Sequence, residues 1–151
     1  MIVLNNNLVI KNEDVKIEDY VLTIDDIINK KDVLKEQATK RHKCRIYCKK
    51  LRGSLIAHEL SKGDLADARA KMKDNYESGI QYMIYLSIDY LQEPRILEAY
   101  ECKTDSHKIV KRLFPRENEL LAVSEIIMGL NGLNELKPGE IFRKEIEDLK
   151  N

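Results

Sequence analysis

Apolar and polar positions change period several times along the chain, and each change marks an element. In residues 79–91, GIQYMIYLSIDYL, apolar side chains recur at Ile80, Tyr82, Ile84, Leu86, Ile88 and Tyr90, with Gln81, Ser87 and Asp89 between them. That is the period of a strand, and isoleucine and tyrosine favour strands. A helix over the same residues would be apolar on almost every side. Pro94, in QEPR, presets φ for a turn and has no amide to give a ladder. ILEAYECK then returns as a second strand, which predicts a central β-hairpin at about 80–103.

Upstream, MIVL and LVIK joined by NNN predict an N-terminal β-hairpin, because asparagine tolerates the positive φ of tight turns. VKIEDYVL reads as a further extended piece. Thr23 before Asp25 and Asp26 marks a helix start: a hydroxyl caps free amides, and carboxylates suit the positive end of the dipole. Cys44, Tyr47, Cys48, Leu51 and Leu55 follow a helical stripe, so the predicted helix runs from about 24 to 52 and bends or ends at Gly53 and Ser54. SKGDLADARAKMK is another helix, with Gly63 as a break and Asp64 as a cap.

Downstream, Asp105 or Ser106 begins a short helix through HKIVKRLF, stopped at Pro115. ENELLAVSEIIMGL is a helix ending at Gly129, LNGLNELKPG a loop, and EIFRKEIEDLK a polar closing helix. No repeat or linker divides the chain. The expected fold is a single domain over residues 1–151, α+β and helix-dominated, with long helices, two hairpins and C-terminal helices.

Composition agrees with a globular chain: 43% of the 151 residues are apolar and 34% charged. No apolar run approaches the roughly 18 residues of a membrane span. The start, MIVLNNNLVI, has no basic head, so no signal peptide is expected. Three cysteines suit a reducing compartment better than a disulfide framework, and the expected location is cytoplasmic. Abundant isoleucine, lysine and asparagine suit an A+T-rich bacterial, archaeal, viral or mobile-element genome. Net charge is zero but unevenly distributed. Residues 37–58 carry seven Lys/Arg and no Asp or Glu, between segments of net −3 and −4.

That block, Lys40, Arg41, Lys43, Arg45, Lys49, Lys50 and Arg52, is the first candidate site. Lys and Arg neutralise phosphates and release counterions, so a concentrated basic surface is a nucleic-acid footprint. The competing account is a solvated helix whose long side chains snorkel from a core-facing stripe. A second candidate is the tyrosine-rich hairpin, where Tyr82, Tyr85 and Tyr90 offer contact area with polar tips to a protein partner or a second copy of the chain.

Asp89, then Glu101 and Lys103 on the returning strand, resembles the PD-(D/E)xK nuclease pattern. The resemblance covers about fifteen residues. It implies that the two acids hold Mg²⁺ and that Lys103 orients the attacking water. Acid-x-Lys also occurs at Asp14, Glu135 and Asp148, and a hairpin with charges on its wet side accounts for the same residues. Cys44, Cys48, Cys102 and His107 form a Cys₃His set by residue type, but their spacing is poor for zinc and free cysteine is usually buried. Arg52 and His58 fall within the Arg-x4–6-His spacing that resembles helical HEPN-type ribonucleases. Glycine loops for phosphates and serine-hydrolase elbows are missing from the sequence.

The expectation is a small intracellular accessory or regulatory protein that binds a macromolecule. It would use the basic helix for nucleic acid or the tyrosine-rich hairpin for protein, and it would need no cofactor. The alternative is a metal-dependent nuclease at Asp89, Glu101 and Lys103, with Mg²⁺.

Overall fold

The computed structural model describes residues 16–146. It is helix-dominated α+β, with one two-stranded antiparallel sheet among the described residues. The chain divides into two compact units, one of residues 1–40 with 136–151 and the other of residues 41–135. The expected N-terminal hairpin lies outside the described residues.

In the first unit, helix α1 (Ile24–Asn29) starts where the sequence places it. Thr23 Oγ1 accepts from Asp26 N–H at 3.1 Å and Asp26 Oδ2 accepts from Thr23 N–H at 2.9 Å, a reciprocal capping box. Tyr20 donates to the same carboxylate, and these bonds, the Thr23 amide first, hold Asp26 below the usual carboxylate range. Helix α2 (Lys31–Thr39) follows after Lys30, and neither helix buries a residue. Two expectations fail here. VKIEDYVL is extended only in part: among its described residues, Ile17–Asp19 forms a 3₁₀ turn between the extended Lys16 and Tyr20. Residues 141–146 of the expected closing helix are irregular, and 147–151 lie outside the described residues. Short helices depend on an apolar face buried by packing, and that polar segment offers little of one.

The long helix expected through residue 52 ends at Thr39, and the basic block forms a β-ribbon instead. Strand β1 (Lys43–Cys48) pairs antiparallel with β2 (Gly53–His58), from Lys43 opposite His58 to Cys48 opposite Gly53. Cys44 and Cys48 fit a helical stripe, but with Ile46 between them they are also apolar at period 2, and period 2 wins because Leu55 and Ala57 line the same face. Lys49–Leu51 makes a 3₁₀ turn, and Arg52 at φ +58° closes the loop.

Helix α3 (Lys62–Asp74) begins at Ser61, whose hydroxyl accepts from Asp64 N–H at 3.1 Å. Gly63 lies inside its first turn and does not break it, and Asp64 is not the cap. The largest correction is central: residues 80–103 contain no hairpin. Helix α4 (Tyr76–Ser87), a 3₁₀ segment (Asp89–Gln92) and helix α5 (Pro94–Ala99) occupy them. Asn75 caps α4 by accepting from Ser78 N–H at 2.9 Å, and Pro94 opens α5 at a position with no amide to lose. The apolar distribution that counted against a helix is the signature of a buried one. Ile80, Met83, Ile84 and Ser87 are buried, with Tyr82, Tyr85 and Leu86 partly so. Short helix α6 (Ile109–Leu113) and helix α7 (Glu117–Leu130) complete the shell around α4, packing Ile109, Val110, Val123 and Ile127 into one core with Ile46 and Ala57.

Helix α7 runs one residue past the expected end. Gly132 at φ +70° terminates it: Leu133 N–H reaches Met128 O at 2.8 Å and Gly132 N–H reaches Gly129 O at 3.1 Å, a full Schellman cap.

Candidate nucleic-acid interface

Alternation along the ribbon sorts the basic residues. With Ile46 and Cys48 buried, Lys43, Arg45 and Tyr47 point to the opposite, open face. Their cross-strand partners are His58, Ile56 and Ser54. Tyr47 is 67% exposed and Ile56 55%, so an aromatic ring stands free between cations. The loop at the ribbon's tip adds Lys49, Lys50 and Arg52. Lys50 is committed: it pairs with Glu119 at 3.0 Å, lies 5.4 Å from the centre of the Phe114 ring, and holds the Glu119 carboxyl below its ordinary range. Among the described residues Lys43, Arg45, Lys49 and Arg52 have no ion-pair partner. Lys40 belongs to the other unit, at the end of α2.

At the ribbon's open end lies a polar cluster that sequence reasoning had not assembled. His58 donates from Nε2 to Asp89 Oδ1 at 2.7 Å, since a carboxylate only accepts. Its Nδ1 lies 3.0 Å from an Arg41 guanidinium nitrogen and 2.9 Å from Glu59 O. A neutral ring accepts from the first; a protonated ring donates to the second. Arg41 also donates to Glu59 O at 2.6 Å. Glu59 accepts from the His42 ring and amide, both at 3.1 Å, and these bonds hold its carboxyl below the usual range. A strand pairing of 43 with 58 was the missing signal, because only that register brings Arg41, His42, His58 and Glu59 together.

Asp89, Glu101 and Lys103 have different settings. Asp89 is exposed at the start of the 3₁₀ segment and bonded to His58; Lys103 pairs with Glu98 at 3.3 Å. Glu101 sits at φ +58° just after α5. Its N–H donates to Glu98 O at 3.1 Å, and the next amide, Cys102 N–H, donates to Leu97 O at 2.7 Å, with Cys102 and Leu97 both buried. These are the two bonds and the apolar contact of a Schellman cap, with Glu101 at the position glycine prefers. The strand parity on which their convergence rested is therefore replaced by a helix stop. Glu101→Gly is expected to stabilise the protein by about 0.5–1 kcal/mol in urea unfolding, by relieving left-handed strain, with Glu101→Gln close to neutral. A loss of stability in Glu101→Gly would mean that the carboxylate has a structural partner.

Of the tyrosines, Tyr82 is half-buried, with Lys71 4.9 Å from its ring centre and His107 edge-on at 6.3 Å; Tyr85 is half-buried on the same helix and Tyr90 is exposed. The strand edge that was to carry them is not there. Cys48 and Cys102 are buried and Cys44 half-buried, all as free thiols. His107 pairs with Asp105 at 3.1 Å. Among the described residues no group of three or more His, Cys, Asp or Glu is placed to hold a metal ion, and no helix is long and apolar enough to cross a membrane. Compared with known proteins, the chain matches no protein-family model, no curated protein and no solved structure.

Proposed function

We propose that this is an accessory protein that binds nucleic acid through the β1–β2 ribbon, with Lys43, Arg45, Lys49 and Arg52 on phosphates and Tyr47 stacked on a base. The observation that carries it is the open ribbon face, where unpaired cations flank an exposed aromatic ring and no carboxylate lies between residues 37 and 58. Phosphate contacts supply affinity without reading sequence, and aromatic stacking accepts any base, so binding is sequence-tolerant. The ribbon's two-stranded form also has the width a major groove admits. Arg41 and Lys50 serve the fold first: Arg41 donates to Glu59 O and Lys50 pairs with Glu119.

Fluorescence anisotropy with labelled single-stranded and duplex oligonucleotides tests this. Four free cations predict a slope of log affinity on log salt of roughly −3 to −4 on duplex. Arg45→Glu with Lys49→Glu is expected to weaken every sequence alike. Tyr47→Ala is expected to cost single strands about 1–3 kcal/mol. No binding at low salt, or binding indifferent to salt, would leave the ribbon as a solvated surface.

A further inference from the structure

The other face of β1 borders a groove whose apolar base the nucleic-acid reading does not use. It has a volume of about 640 Å³, inside the range of roughly 300–1,000 Å³ that small-molecule sites occupy. Ile46, Cys48, Phe114 and Val123, all buried, form its base, and Ala122 and Ile126 on α7 form its outer wall. Its charged lining residues, Lys49, Lys50 and Glu119, stand where β1 runs into its turn, with Tyr47 beside them. Glu119 is already engaged, accepting from Lys50 and from Arg116 N–H, whereas Lys49 has no ion-pair partner among the described residues. An apolar slot therefore ends in one uncompensated positive charge.

We infer that this groove binds a small amphipathic anion, an aliphatic or aryl carboxylate whose tail lies against Phe114, Val123 and Ile126 and whose head pairs with Lys49. Size and charge both select this occupant. The apolar base gives a tail its burial energy, a single cation at the mouth fixes which end points out, and the groove's volume matches a compact ligand. A cationic amphiphile would meet Lys49 and Lys50 against a Glu119 that is already engaged. Lys49 and Tyr47 border both this groove and the nucleic-acid surface, but the apolar base on Phe114, Val123 and Ile126 belongs to the groove alone, so Ala122→Trp tests it without touching Lys43 or Arg45.

Decanoate and decyltrimethylammonium, both below micelle-forming concentrations, are the probes, titrated into the full chain by calorimetry. Decanoate is expected to bind with one-to-one saturation, and the ammonium compound about tenfold more weakly or not at all. Cys48 lines the groove, so decanoate should also slow its alkylation by N-ethylmaleimide, read by peptide mapping, while leaving Cys102 unaffected. Lys49→Glu is expected to weaken decanoate about tenfold. Ala122→Trp is expected to abolish binding, and because Ala122 is exposed the ring fills the groove without entering the core. Equal binding of both amphiphiles, binding unchanged by Ala122→Trp, or no protection of Cys48 would overturn the proposal. So would a concentration-dependent dimer that Ala122→Trp converts to monomer without any decanoate binding, since the groove would then be an interface between copies.

Discussion

Gly79→Ala is expected to destabilise the protein by about 2 kcal/mol, although alanine is the better helix former. Gly79 is buried in the first turns of α4, where that helix packs on α3. A methyl group there would lie 2.6 Å from Met72 Cα and closer still to Met72 N and Cγ. Two of these atoms are backbone, so a rotamer change cannot relieve the overlap and the helices must part. Overpacking costs roughly 1–3 kcal/mol, and the upper end applies when backbone has to move. The gain from replacing a helical glycine is only about 0.5–1 kcal/mol, so the clash wins. Gly63 is the control. It too is helical, but a methyl group there meets nothing within 4 Å, and Gly63→Ala should stabilise by about 0.5–1 kcal/mol. Thermal unfolding reads both signs, and the first variant should lose roughly 10 °C. Equal shifts in the two variants would mean that α3 and α4 do not meet at Gly79.

The contrast between those glycines locates what was legible in the chain. Local chemistry was: Thr23 caps where its neighbours say it should, Pro115 lies beyond a short helix, and ENELLAVSEIIMGL is helical for all fourteen residues. The helix-dominated α+β class followed from such signals. What failed was the inference from period to element wherever two periods fit. Residues 80–91 satisfy alternation, yet they form the helix around which the others pack, and a helix buried on most sides has no polar face to show. The basic segment made the opposite exchange, since its cysteines fit a helical stripe and a strand face equally well. Partner segments decided both cases, and partners are not local. The site inherited these results unevenly. Lys43, Arg45 and Lys49 remain together because they are close in sequence, whichever element carries them. Asp89 and Glu101 were linked only through a hairpin, and they parted when the hairpin became two helices and a Schellman cap.

Asn131→Ala is the second large loss, expected at about 2 kcal/mol, and it comes from a single side chain that no sequence pattern marked. Asn131 is buried at the C-terminus of α7. Its Oδ1 accepts from Leu60 N–H at 2.8 Å and its Nδ2 donates to Ile127 O at 2.9 Å, tying the segment after β2 to the end of α7. Leu60 is itself buried, and that amide has no second acceptor among the described residues. Ile127 O keeps the Asn131 backbone amide at 3.1 Å, so the orphaned group after truncation is the Leu60 N–H, worth about 1–3 kcal/mol of desolvation. The readout is local as well as global: exchange of the Leu60 amide should accelerate roughly thirtyfold, the equivalent of 2 kcal/mol. Asn131→Asp separates the two bonds. The introduced carboxyl accepts from Leu60 in either state, but only its protonated form can donate to Ile127 O. Burial and that carbonyl both favour the protonated form, so its folded pKa rises above its unfolded value. The folded state then binds the extra proton, and stability falls as pH climbs from the unfolded pKa through the raised folded one. Asn131→Asp should accordingly approach wild-type stability near pH 4 and resemble Asn131→Ala, or fall below it, at pH 8. A pH-independent difference between Asn131→Asp and wild type would show that Ile127 O takes no part and that the Leu60 bond alone holds the joint.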